Sequence, residues 1–133
     1  MYEEQINAYF DAPERRAELV EAISRLVRIR SVREEPLPGM PFGPGPAAAL
    51  AEGLKLAEEL GFATRNYDNY VGTADLNDKE TALHILCHLD VVGEGTGWTV
   101  TEPYVPKEVD GMLYGRGTDD DKGPVAAVLL AMK

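Results

Sequence analysis

Residues 81–92 read TALHILCHLDVV, the longest stretch of the 133-residue chain that is apolar on both alternating faces. Leu83, Ile85, Cys87 and Leu89 share one face, and a run apolar on both predicts a buried central strand. Outward toward the N-terminus, NDKE (77–80) is a turn. FATRNY (62–67) and YVGTADL (70–76) flank Asp68-Asn69, the signature of a hairpin. Farther back, Pro13 and Glu14 open a helix carrying Leu19, Val20, Ile23, Leu26 and Val27 at helical spacing. A second helix begins at Pro46, with Leu50, Leu54 and Ala57 on one stripe and Gly61 as its stop. Between them SVREEPLPGMPFGPGP (31–46) holds five of the nine prolines and reads as a loop. Outward toward the C-terminus, Asp110-Gly111 turns between short extended pieces, and a third helix starts at Gly123 or Pro124. The expectation is an α/β fold, a layered sheet with flanking helices, with residues 1–133 forming one portion of a single domain.

The net charge of −10, from 23 acidic against 13 basic residues, argues against a nucleic-acid or anionic-membrane surface. One cysteine excludes an intrachain disulfide and fits a reducing compartment. MYEEQINAYF (1–10) has acidic residues where a leader carries positive ones, and no run approaches the length that spans a bilayer. These features lead us to expect a cytoplasmic protein.

On a strand, His88 and Asp90 point the same way, and a ligating imidazole commonly has a carboxylate that fixes its tautomer. The pair opens into the glycine-rich GEGTG (93–97), where α/β sheets place ligands. The bland alternative is a strand-end histidine bonded to a neighbouring aspartate. His84 shares the face but lies roughly 13 Å back along the strand, so it is read as structural. Cys87 adjoins His88, yet neighbours on a strand diverge, which leaves it as core filler rather than a nucleophile.

The second chemical stretch is YGRGTDDDKGP (114–124). Asp119, Asp120 and Asp121 repel one another unless solvent or a cation offsets their charge. The simplest reading is a polar turn before a helix, with carboxylates at its N-terminus. An EF-hand register fails, because counting from Asp119 puts Pro124 where glycine is required and Leu130 where glutamate is. A phosphate loop fails because Lys122 precedes its glycine. An oxygen-ligand site for a hard or borderline cation remains, with flexible glycines at 115, 117 and 123.

Together, HLDVVGEGTGW (88–98) and LYGRGTDDDKGP (113–124) resemble the two N-terminal signatures of the di-zinc aminoacylase/carnosinase metallopeptidase family. The likeness is greatest to its PepV-type bacterial dipeptidases, which cleave dipeptides including Xaa-His. GPGPAAAL, ELGF and DNYVGTADL extend it from about residue 14 to the last residue. The resemblance implies that His88 binds one zinc ion, that Asp90 steadies it as an active-site residue, and that Asp120 bridges two zinc ions. It implies a cis peptide at Asp120–Asp121 and gives Asp119 no ligand role. Cys87 and Gly93 depart from the family's usual glycine and proline. The family's adjacent glutamates (one the general base), a further acidic ligand and a last histidine are expected beyond Lys133.

Two classes of function follow. One is the N-terminal part of a zinc-dependent dipeptidase acting on dipeptides or N-acyl amino acids, inactive on its own. The other is a non-catalytic metal-binding or self-associating module. For a chain that is part of the larger enzyme, self-association is expected through the helix at 124–133 and the sheet edge beside TALHILCH.

Overall fold

Prolines set the starts of two of the four helices. The computed structural model describes all 133 residues: α1 Tyr2–Phe10, α2 Pro13–Val27, α3 Pro44–Glu59, β1 Ala63–Tyr67, β2 Val71–Asp75, β3 Lys107–Val109, β4 Met112–Tyr114 and α4 Lys122–Met132. A proline in the first turn loses no hydrogen bond, because that amide has no intrahelical partner. α2 starts at Pro13 as its sequence predicts, and α3 starts at Pro44, two residues before the expected Pro46. The end of α3 is a glycine cap. Gly61 takes φ 97°, and the amides of Gly61 and Phe62 donate to the carbonyls of Glu58 and Ala57. α1 falls where the sequence reading assigned no element, and none of its residues is buried.

α2 lies between α3 and α4 and supplies the centre of the core. Ala22 and Leu26 pack with Leu56 and Ala57 of α3, Ala126 and Leu129 of α4, and Phe62. Arg25 ties the pair of helices further, reaching Glu52 at 2.6 Å and Glu59 at 2.5 Å. α4 buries Lys122, Gly123, Ala126 and Leu129, while Pro124 and Ala127 are exposed. It is therefore covered on one side rather than on most sides.

Both expected turns are present. Asp68 and Asn69 adopt φ 53° and 59° between β1 and β2, and Tyr70 N–H closes onto the Tyr67 carbonyl at 3.0 Å. Asp110 and Gly111, at φ 50° and 79°, join β3 to β4. Asn, Asp and Gly tolerate this left-handed region, and its twist suits a hairpin.

The α/β mixture is observed, with its strands in two separate antiparallel pairs, β1–β2 and β3–β4. The expected central strand at 81–92 is not formed. Its only ladder contact is a parallel bridge between Val32 and Val91. Leu83 is 74% exposed and Leu86 92%, and the apolar face predicted there is no more than half-buried, at Cys87 and Leu89. A strand apolar on both faces needs neighbours on both edges, and none of β1–β4 runs beside this one. His84, read as structural, is exposed.

Candidate metal centre

Three chain segments meet behind the acidic loop. Past the end of α2, the Ser31 carbonyl accepts the Val91 amide at 3.1 Å, and the Ser31 hydroxyl donates to the Leu89 carbonyl at 2.6 Å. These bonds fix the chain on either side of Asp90. The acidic loop runs from Gly115 into α4, and its Asp121 carboxylate accepts the His88 amide at 2.9 Å. The Asp120–Asp121 peptide is cis, as the resemblance implies.

The structure brings His88, Asp90 and Asp120 together. His88 Nε2 lies 2.9 Å from Asp120 Oδ1, across 32 residues of sequence. On the other side of the ring, Nδ1 is 3.1 Å from the Asp90 carbonyl and 3.3 Å from its Oδ1. Asp90 thus favours a proton on Nδ1, which leaves the Nε2 lone pair facing a carboxylate oxygen. Two acceptors hold that distance only with a proton or a cation between them. Partial burial pulls the His88 pKa down. Hydrogen bonds to the Asp90 carbonyl and the Asp120 carboxylate, with the charges of Asp90 and Asp121, outweigh this and raise it above the ordinary value.

These donors are chemically suited to zinc, which accepts one imidazole and carboxylate oxygens at about 2.0–2.2 Å. Two tetrahedral ligands at that range stand about 3.4 Å apart, so the observed 2.9 Å needs only a small separation. The fit is to half a coordination shell. No three His, Cys, Asp or Glu side chains converge closely enough to hold an ion by themselves. Asp119 stands exposed at the rim of a cleft of about 330 Å³, whose walls include His88, Asp90, Arg116 and Asp120.

Cys87 is half-buried, and its thiol is pushed up by burial and by the charge of Asp121, the opposite of an activated nucleophile. Sequence reasoning missed Ser31, Asp121 and Lys122. Lys122 is wholly buried, its ammonium donates to the Ile29 carbonyl at 2.7 Å, and burial pushes its pKa down to about 8. Nothing in the sequence around Lys122 distinguishes it from a solvated lysine, whereas Asp121 was visible in the triplet without a role.

Residues 84–133 match the sequence model of Peptidase family M20/M25/M40. The "Putative dipeptidase YtjP" of Bacillus subtilis is 38% identical over 121 residues, covering 90% of this chain and 26% of that protein. A "Putative dipeptidase" of Staphylococcus saprophyticus is 36% identical over 135 residues, covering 100% and 27%. Another, from Staphylococcus epidermidis, is 37% identical over 118 residues, covering 87% and 25%. The chain spans about a quarter of the length of these curated relatives. The likeness carried by the two signatures is borne out. No helix is long and apolar enough to cross a membrane.

Proposed function

We propose, from a chain related to Peptidase family M20/M25/M40, that it forms the N-terminal part of a cytoplasmic zinc-dependent dipeptidase. Its substrates are dipeptides or N-acyl amino acids. The observation that carries this reading is the 2.9 Å approach of His88 Nε2 to Asp120 Oδ1, with Asp90 on the opposite ring nitrogen. In this reading His88 binds zinc through Nε2. Asp90 keeps the proton on Nδ1 and holds the ring in plane, and Asp120 offers two carboxylate oxygens, enough to face two ions. Bound zinc supplies a Lewis acid for the amide carbonyl and a water acidified toward a pKa of about 7.

No residue of the chain is assigned as the general base. Asp90 is engaged with His88, and Asp120 faces the ring nitrogen. The proposed activity therefore belongs to an assembly that supplies a base and further ligands, and the 133 residues alone hydrolyse no dipeptide. Zinc titration by calorimetry tests the site. Weak binding is expected, lost in His88→Ala and Asp120→Asn and weakened about 10–100-fold in Asp90→Asn. Equal binding by all four proteins overturns the assignment.

A second reading is a non-catalytic module that associates with copies of itself. Exposed Leu83, Ile85 and Leu86 support such association. Dipeptide turnover by the chain combined with the C-terminal portion of a full-length relative, abolished by His88→Ala, decides for the enzyme.

A further inference from the structure

A buried lysine is costly to keep unless its ammonium is held, and Lys122 is the largest fully buried side chain in the protein. It does not face the cleft. Its stem runs beneath the acidic loop, where a Cβ on Gly117 would lie 3.1 Å from Lys122 Cδ and 2.8 Å from Val91 Cγ1. Gly117, at φ +89°, leaves room for this crossing, and its carbonyl accepts the Lys122 amide at 3.0 Å. The ammonium then reaches the Ile29 carbonyl at 2.7 Å. Two residues on, wholly buried Ser31 holds the other arm through its bonds to Leu89 and Val91. The short segment Ile29–Ser31 is thus a common post. His88 hangs from it through Leu89 and Asp120 through Lys122; the two arms meet at the site through His88–Asp121 and His88–Asp120, and farther out Arg116 donates to the Glu94 carbonyl at 3.0 Å.

We infer that Lys122 and Ser31 are positioning residues that set the separation of His88 and Asp120 by fastening both arms to the Ile29–Ser31 post. The inference rests on the metal-site reading for its consequence but not for its geometry. Neither residue touches a ligand position, and both act through backbone carbonyls. A lysine used only to fill space would be replaceable by methionine, which keeps most of the stem and drops the ammonium.

The test is amide hydrogen exchange by NMR in zinc-free buffer, with zinc titration alongside, on wild type, Lys122→Met and Ser31→Ala. The His88 amide, bonded to Asp121, is expected to exchange at least about tenfold faster in each variant while α3 amides keep their rates. Zinc affinity is expected to fall about 10–100-fold, as when an outer partner of a ligand is lost. Should Lys122→Met not fold, Ser31→Ala carries the same test. A folded variant in which His88 exchange rises only in step with α3, or in which zinc affinity is unchanged, overturns the inference. Wild-type zinc binding indifferent to His88→Ala removes the metal-site reading instead. The exchange rates then still decide for or against the post.

Discussion

Arg30 donates from Nε to the Glu94 carboxylate at 2.5 Å, joining the loop after α2 to the glycine-rich loop after Asp90. The Tyr104 hydroxyl donates to the same carboxylate at 3.0 Å, and the Glu94 carbonyl accepts from both Trp98 Nε1 and Arg116. Glu94's own backbone amide, then Arg30 and Tyr104, hold its carboxyl below the usual carboxylate range. A carboxyl depressed in the folded state stabilises that state above its unfolded value, about 4.3. The contribution disappears as pH falls through the lower folded value. Fluorescence of Trp98, the single tryptophan, should therefore change below about pH 4.3, and Glu94→Gln should abolish that transition while leaving global acid unfolding. An identical acid transition in the variant would exclude Glu94 as the titrating group.

Gly45→Ala should destabilise the protein, although alanine is the better helix former by up to about 1 kcal/mol. A Cβ at position 45 would lie 2.3 Å from the Arg30 carbonyl oxygen, which belongs to backbone and cannot swing aside. Forcing the two apart costs about 1–3 kcal/mol, so the collision outweighs the propensity gain. A lowered urea midpoint with unchanged slope is the expected reading.

Leu26→Ala should remove about 2–5 kcal/mol, because Leu26 is wholly buried where α2 faces both α3 and α4. Against a domain stability of about 5–15 kcal/mol that is a large share, so circular dichroism should show a chain still folded at 25 °C but melting well below the wild type. A cooperative melt near the wild-type temperature would show that the helices pack without this contact.

Leu86→Lys should leave folding stability within about 0.5 kcal/mol, since Leu86 is 92% exposed. It should also reduce self-association. Residues 81–87 contain no Asp, Glu, Lys or Arg, expose Leu83, Ile85 and Leu86, and make no backbone hydrogen bond within the chain, so a second strand has an open template. Sedimentation velocity should give a smaller weight-average mass for the variant at equal concentration. Equal masses would direct attention to the α4 surface.

Local chemistry was readable wherever it acts within a few residues. Asp68-Asn69 and Asp110-Gly111 turn because those residues accept positive φ, and Gly61 caps α3 for the same reason. Pro13 marks a helix start because its missing amide costs nothing there. The strand at 81–92 was not readable in the same way, since its apolar pattern describes an environment that needs neighbours these elements do not provide. In the site, His88 and Asp90 do lie together, although the strand whose alternation suggested it is not formed. The joining of His88 to Asp120 came from resemblance alone, because no periodicity links residues 32 apart. The roles of Ser31 and Lys122 were hidden for a stronger reason: each bonds a backbone carbonyl, a partner every residue offers.

The post at Ile29–Ser31 also bears on the order in which the site assembles. Hooking Ser31 to Leu89 closes a loop spanning 58 residues, and hooking Lys122 to Ile29 closes one spanning 93. Chain entropy grows only logarithmically with length, so the longer closure is dearer by about 0.4 kcal/mol. Bringing His88 to Asp120 spans 32 residues and is easier than the longer hook by about 0.9 kcal/mol. On polymer statistics alone, the two donors meet before either arm reaches the post. A cation present during folding would then meet its ligands while the surrounding chain is still loose, and could act as a nucleus for the fold rather than a late addition to it.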